Sequence, residues 1–285
     1  MILITGANGT IGRQVVDQLA KKGISASALV RDLQKAKPLE MPQIQLVKGD
    51  FNDLASLDAA LAGAESAFLL TATSPNRLSQ EANFIKAAKN AKLKHIVRLS
   101  IVGADGDACS RILRRHAEAD RQLEDSGISF TILQPNYFMQ NLLWYSEDIK
   151  TRGVFLSSLP ETNTHAHVDA RDIAAVAVAT LTEAGHEGQI YRISGPEALT
   201  YGEMMQTLSS LLGKSVRYDA SPDHYGNSLK NWGLDADEVL ELDSCIAQGT
   251  GNGAAVRDTV LRVTKRQPTR FEQFAKDYLP AFGGQ

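Results

Sequence analysis

An apolar run at the start of the chain, Met1–Thr5, leads straight into Gly6-Ala7-Asn8-Gly9-Thr10-Ile11-Gly12, and Ile11, Val15, Val16 and Leu19 then share one helical face. A strand, a tight glycine turn and a helix in that order open a βαβ unit, and each glycine has its own steric task. Gly6 turns the chain, Gly9 lets backbone close on a ligand, and Gly12 lets the helix lie against the strand. The amides at the helix start have no partner inside the helix and carry the positive end of its dipole. Such a terminus seats a diphosphate. Gly6, Asn8, Gly9, Thr10, Ile11 and Gly12 are therefore the first expected binding residues, and a dinucleotide is the expected ligand. A strand-turn-helix with no ligand is the alternative.

The rhythm continues. Ser27–Val30, Gln45–Val47, Ser66–Leu70, His95–Leu99 and Phe130–Leu133 read as strands, with helical stretches between them; Leu78, Ala82, Ile85 and Ala88 give one apolar stripe. Strands separated by helices imply a parallel sheet with right-handed crossovers. The expected fold is α/β, a Rossmann-type doubly wound parallel sheet with a smaller, mostly helical C-terminal lobe. After Pro135 the pattern changes. Asn136–Ser158 is aromatic-rich and irregular, His165–Val168 reads as a strand, Ala170–Leu181 as a helix and Gln189–Ile193 as a strand, followed by four helical stretches. Asp169 with Asp172, Thr200 with Glu203 and Thr269 with Glu272 carry N-terminal capping patterns, and Ser221-Pro222 places proline in a first turn. The spacing assigns residues 1–150 to the nucleotide domain and residues 151–285 to a smaller substrate-side lobe, packed on the first and partly interleaved with it.

Composition narrows the partners. A net charge of −3 with no dense basic run gives no reason to expect nucleic acid or an anionic membrane. Arg111, Arg114 and Arg115 read as a solvated helix face. No apolar run has the length to cross a bilayer, and a strand beginning at the second residue leaves no room for a cleavable leader. Cys109 and Cys245 lie far apart without metal spacing, so two inert thiols and a reduced, cytoplasmic setting are expected. His165, His167 and Asp169 alternate along one strand face, but Asp169 reads better as a helix cap, and no metal is expected. Phe271, Phe274, Tyr278 and Phe282 read as packing residues. Oligomeric state is left open.

Which nucleotide binds turns on the tip of the second strand. Arg31 stands where a side chain reaches the adenosine ribose, Asp32 points elsewhere, and Lys35 adds charge, so NADP(H) is expected over NAD(H). Asp50 and Phe51 close the third strand beside the expected adenine, although Asp50 and Asp53 equally suit a helix cap. Thr71 and Ala72 follow the fourth strand and should border the phosphate crevice. Pro135, Asn136 and Tyr137 follow the sixth strand and are expected on the nicotinamide wall, with Tyr137 the nearest candidate proton donor.

On Thr5–Gly12, Val30-Arg31-Asp32, Gly49-Asp50, Thr131–Asn136, Val168–Ala174 and Gly185–Gly188, the chain resembles the NmrA-like group of atypical short-chain dehydrogenase/reductases, which includes quinone and triphenylmethane reductases. One departure from the wider superfamily matters more. Its usual acid/base pair is Tyr-x-x-x-Lys, yet none of the seven tyrosines here has lysine four residues on. His116 stands at the lysine position and Ile112 at the tyrosine position. The resemblance implies hydride transfer to an electron-poor small molecule, aromatic or quinonoid, whose protonation demands little of the enzyme. It places Ser100 at the superfamily's serine position and His116 against the nicotinamide ribose or in proton relay; a histidine satisfied by Asp120 one turn on is the alternative. Phe138, Trp144 and Tyr145 are expected to line the substrate pocket. A second reading, a non-catalytic NADP(H) sensor acting through a protein partner, fits the missing pair too.

Overall fold

In the computed structural model, which describes residues 1–72 and 74–284, β1 (Ile2–Ile4) is buried along its whole length. It runs into α1 (Thr10–Lys21), whose stripe Ile11, Val15, Val16 and Leu19 is buried. Alternation then continues through β2 (Ala26–Val30), β3 (Ile44–Lys48), α2 (Leu54–Leu61), β4 (Ser66–Leu69), α3 (Arg77–Asn90), β5 (His95–Leu99), α4 (Arg111–Glu124) and β6 (Ser129–Pro135). Strands covered by helices on both faces must be apolar on both faces; β2 is buried throughout.

The second half adds α5 (Ser146–Arg152), β7 (Val154–Leu156), β8 (Thr164–His165), α6 (Ala170–Thr182), β9 (Gln189–Ile193), β10 (Leu199–Thr200), α7 (Tyr201–Leu212), β11 (Arg217–Asp219), α8 (Pro222–Asn231), α9 (Ala236–Ala247), α10 (Thr259–Thr264) and α11 (Phe271–Asp277). β9 rejoins the main sheet beside β6, with Thr131 opposite Gln189. The sheet is then seven-stranded and parallel, in the order β3-β2-β1-β4-β5-β6-β9. α1, α6 and α10 share a core on one face of it, and α2, α3 and α4 cover the other. The strand order reverses between β1 and β4, and ligands of doubly wound sheets sit at that switch point, beyond the strand C-termini. A separate aromatic-rich core, with Tyr145, Phe155, Tyr201, Phe271 and Phe274, joins the remaining elements.

Several local expectations are revised. The segment read as irregular, 136–158, holds a 3₁₀ turn at Met139–Tyr145, then α5 and β7. His165–Val168 contributes only the end of β8 and a single bridge, Val168 to Phe138. Five α-helices, not four, follow β9 among the described residues. The Thr200–Glu203 capping box forms, whereas Thr269 caps nothing: its N–H donates to Asp172 Oδ2 at 2.6 Å, and α11 starts without a side-chain cap. Asp172 Oδ2 is thereby spent on Thr269, and the start of α6 is capped by Asp169, which accepts from Arg171 N, and by Gln140 Oε1, which accepts from Ala170 N at 2.8 Å.

The cysteines are not separate thiols. Cys109, in the loop before α4, is joined by a disulfide to Cys245 on α9, with Cα atoms 5.9 Å apart. Sequence distance misled because α9 folds back along α4, where Arg111 pairs with Glu241 at 2.6 Å and Arg115 with Glu238. Among the described residues no helix is long and apolar enough to cross a membrane.

Candidate active site

The glycine turn is built as its spacing requires. Gly6 has φ +62°, and a Cβ there would meet Leu70 Cγ at 2.8 Å. A Cβ on Gly12 would land on the carbonyl oxygen of Gly6. Gly9 donates its N–H to Gly6 O at 2.9 Å and becomes the N-cap of α1, with no side chain capping the helix and no acid in its first turn. Asn8, Gly9 and Thr10 are exposed, while Ile11 and Gly12 are buried. Exposed, uncapped amides at the start of a 12-residue helix fit a diphosphate group.

Arg31 and Lys35 are exposed beyond the tip of β2. Asp32 is turned into its own loop, where Oδ1 accepts from the Gln34 and Lys35 amides. Asp50 does not cap α2; Asp53 does, accepting from Ala55 and Ser56, whereas Asp50 Oδ1 accepts from Asn52 N at 2.8 Å. Phe51 packs against Phe84, ring centroids 5.8 Å apart. Ala72 is exposed and Thr71 is buried.

Thr71 enters a buried ionic network that sequence reasoning missed. Its Oγ1 donates to Glu81 Oε1 at 2.6 Å and accepts from Arg77 Nε at 3.0 Å. Arg98, wholly buried in β5, donates to Glu81 Oε2 at 2.6 Å and pairs with Asp120. Ser100 Oγ donates to Asp120 Oδ2 at 2.7 Å. Asp120 is thus spent on Arg98 and Ser100, and the partner of His116 is Arg77, whose Nη1 donates to Nε2 at 2.5 Å. Burial, then the charges of Arg77, Arg98 and Arg115, press His116 well below its ordinary value and hold it neutral. Its Nδ1 then carries the proton and has no partner among the described residues. Burial alone would raise Glu81, but Arg98 and Arg77 hold its carboxyl below the usual range. This network also rotates α3. Arg77, Glu81, Phe84, Ile85 and Ala88 face inward, and Ala82, read as part of the stripe, is exposed. Charges can take core positions when each is paired, so the apolar stripe found Ile85 and Ala88 but missed Arg77 and Glu81 and wrongly included Ala82.

Above the network lies a cavity of about 310 Å³. Leu70, Thr71, Ser100, His116, Pro135, Asn136, Tyr137 and Phe138 line it from the sheet edge and α4; Leu234, Val239, Leu242 and Ile246 line it from the stretch leading into and along α9. Most of its polar groups are engaged elsewhere. Asn136 Nδ2 donates to Gly253 O at 2.6 Å, and its Oδ1 accepts from Tyr137 N at 2.8 Å. Tyr137 Oη donates to Asp243 Oδ1 at 2.8 Å. Trp144 and Tyr145 line an adjoining cavity with Tyr137, Trp232 and Asp243, not the main one. His165 and His167 pack around Tyr137, and burial lowers them to about 4 and about 3, so both are neutral at ordinary pH. Asp243 and the α9 wall carried no local sequence signal, because they reach the site only through lobe packing.

A bare helix terminus at the switch point and an apolar cavity beyond the neighbouring strand tips define a dinucleotide-binding protein of Rossmann type. The chain belongs to the NAD(P)H-binding family, whose model matches residues 6–184. It is 38% identical over 285 residues to the NAD(P)H azoreductase of Xenophilus azovorans, covering 99% of each chain. It is 33% identical to quinone oxidoreductase 2 of Escherichia coli, covering 87% of this chain and 89% of that one. Among solved structures, the NADPH-dependent quinone oxidoreductase of Escherichia coli complexed with NADPH superimposes with a TM-score of 0.85 at 29% identity, covering 98% of this chain and 100% of that one. The resemblance read from the motifs holds.

Proposed function

We propose that the protein is an NADPH-dependent reductase of flat, conjugated, electron-poor small molecules, quinones and azo dyes above all. The observation that carries this reading is the apolar cavity at the sheet's C-terminal edge, whose few polar groups are mostly engaged already. Such a wall suits an aromatic acceptor and excludes water from the reacting atoms. The azoreductase and quinone oxidoreductase relatives support the same acceptor class.

In this reading residues 1–150 hold the nucleotide and residues 151–285 supply the substrate wall. Gly6, Asn8, Gly9, Thr10, Ile11 and Gly12 hold the diphosphate on α1. Arg31 and Lys35 select the 2′-phosphate, Asp50 and Phe51 flank the adenine, and Thr71, Ala72, Ser100, Pro135 and Asn136 border the nicotinamide half. Bound NADPH supplies the hydride. His116, held neutral by burial and then by the charge of Arg77, offers its Nδ1–H as a fixed hydrogen-bond donor and is no proton store. Tyr137 is the proton donor. The chain has no Tyr-x-x-x-Lys pair, and positioning with exclusion of water carries most of the acceleration.

The test is fluorescence titration with NADPH and NADH, followed by steady-state turnover of a naphthoquinone and an azo dye. Tighter binding of NADPH and oxidation of NADPH by either acceptor are expected. Nucleotide binding without turnover of any acceptor would sink the reductase reading.

A further inference from the structure

Asp243 lies on α9 and is buried, 4% exposed, next to Leu242 of the substrate cavity. Tyr137 Oη donates to its Oδ1 at 2.8 Å and Ser158 Oγ to its Oδ2 at 2.5 Å. The smaller cavity beside it is aromatic, with Tyr145 from the 3₁₀ turn, Tyr201 from α7, Tyr225 from α8 and His167 around it; Tyr218 of β11 packs on Tyr201 at 5.6 Å. Among the described residues Asp243 has no ion pair; its partners are hydroxyls. Tyr137 is the link, since it lines both this pocket and the substrate cavity.

A buried carboxyl without a cation favours its protonated form; burial raises Asp243 by more than the hydroxyls of Ser158, Tyr137 and Tyr225 lower it. The neighbours do not compete for that proton. Burial lifts Tyr137, Tyr145, Tyr201 and Tyr225 above the ordinary phenol range and Tyr218 to about 12, and leaves His167 neutral.

We propose that Asp243 is a positioning residue that holds a proton behind Tyr137, so that the pair delivers the one proton a quinone or azo acceptor needs on reduction. This rests on the reductase reading. A quinone that has gained a hydride carries one negative charge on oxygen. With Asp243 protonated, the hydrogen bond between the two runs from the carboxyl to the Tyr137 oxygen and the phenol O–H turns to the acceptor; that O–H bond breaks as the acceptor's O–H bond forms. The carboxyl proton of Asp243 passes to the Tyr137 oxygen, and the carboxylate left behind regains a proton from water by way of Ser158 once product leaves. One hydride and one proton are consumed, and both residues return to their starting state.

A cationic triarylmethane dye separates this role from a structural one, because cation plus hydride gives a neutral product with no proton taken up. Turnover of a naphthoquinone and of such a dye is measured with saturating NADPH in wild type, Asp243→Asn, Tyr137→Phe and the double variant. Each single change is expected to lower the quinone-to-dye ratio on the order of a hundredfold, the low end for general acid catalysis, and the double variant no further. On the quinone alone, wild-type turnover falls as pH rises through the Asp243 titration, and Asp243→Asn loses that limb. If Asp243→Asn fails to fold, Tyr137→Phe, which removes only a hydroxyl, carries the ratio test. Equal losses on both acceptors, or an unchanged ratio with the alkaline limb intact, overturn the proposal. Wild type that reduces neither acceptor overturns the reductase reading and this one with it.

Discussion

Arg31 and Glu81 show how differently two charged side chains are used. Arg31 is exposed and reaches beyond β2. Arg31→Asp is expected to weaken NADPH roughly 10- to 100-fold relative to NADH, the equivalent of the ~1.5–3 kcal/mol of a hydrogen bond to a charged group; equal losses for both nucleotides in a fluorescence titration would remove its selective role. Glu81 is buried between Arg77 and Arg98. Removing its charge leaves Arg77 without its carboxylate and Arg98 with Asp120 alone, so Glu81→Gln is expected to destabilise the fold by about 3–5 kcal/mol in urea. The sign with pH follows from its lowered value. Its contribution is present above the ordinary carboxylate range and is lost as pH falls through the folded value. Asp120, raised by burial, works the other way, so the difference between wild type and Glu81→Gln is the quantity to follow. It should shrink below about pH 4.5. Arg31 was legible in the sequence because it ends a strand at a fixed offset from the glycines. Glu81 was not, because a buried ion pair looks like a surface charge until its partner is seen.

At the scale of elements, α1 is defined by contacts a few residues long. Gly12→Ala would drive a methyl into the Gly6 carbonyl, so α1 must shift off β1; a loss of about 1–3 kcal/mol is expected from overpacking, with nucleotide binding falling further than stability. Full NADPH affinity in that variant would show that the turn tolerates rearrangement. Local elements of this kind were readable: the strands of the main sheet lie within a residue or two of their sequence-based limits. The lobe was less readable for a physical reason. Thr269 fits a capping pattern, yet its amide is taken by Asp172, 97 residues away. α3 was placed, but its inward face was only half read: Ile85 and Ala88 are buried as expected, while paired charges fill two other inward positions. The aromatic stretch after Pro135 folds as a 3₁₀ turn, a short helix and a short strand, whose periodicities are too brief to register.

For the whole molecule, the decisive contact is the one between α4 and α9, which closes the substrate cavity and carries Asp243 to Tyr137. Three kinds of bond make it. Ile112 and Leu113 of α4 pack on Leu242, Arg111 and Arg115 pair with Glu241 and Glu238, and Cys109 is bonded to Cys245. The exposed Arg111 pair contributes little, and less in salt. The disulfide spans 136 residues, and a long closed loop restricts the unfolded chain strongly, which is typically worth about 2–4 kcal/mol. Oxidised protein is therefore expected to show a higher urea midpoint than protein treated with dithiothreitol. Cys109→Ser, at an exposed position, should match the reduced midpoint and ignore the reductant. Identical midpoints for oxidised and reduced wild type would mean that apolar packing and the ion pairs hold α9 over the cavity, because the same helix face would then stay in place without a covalent tie.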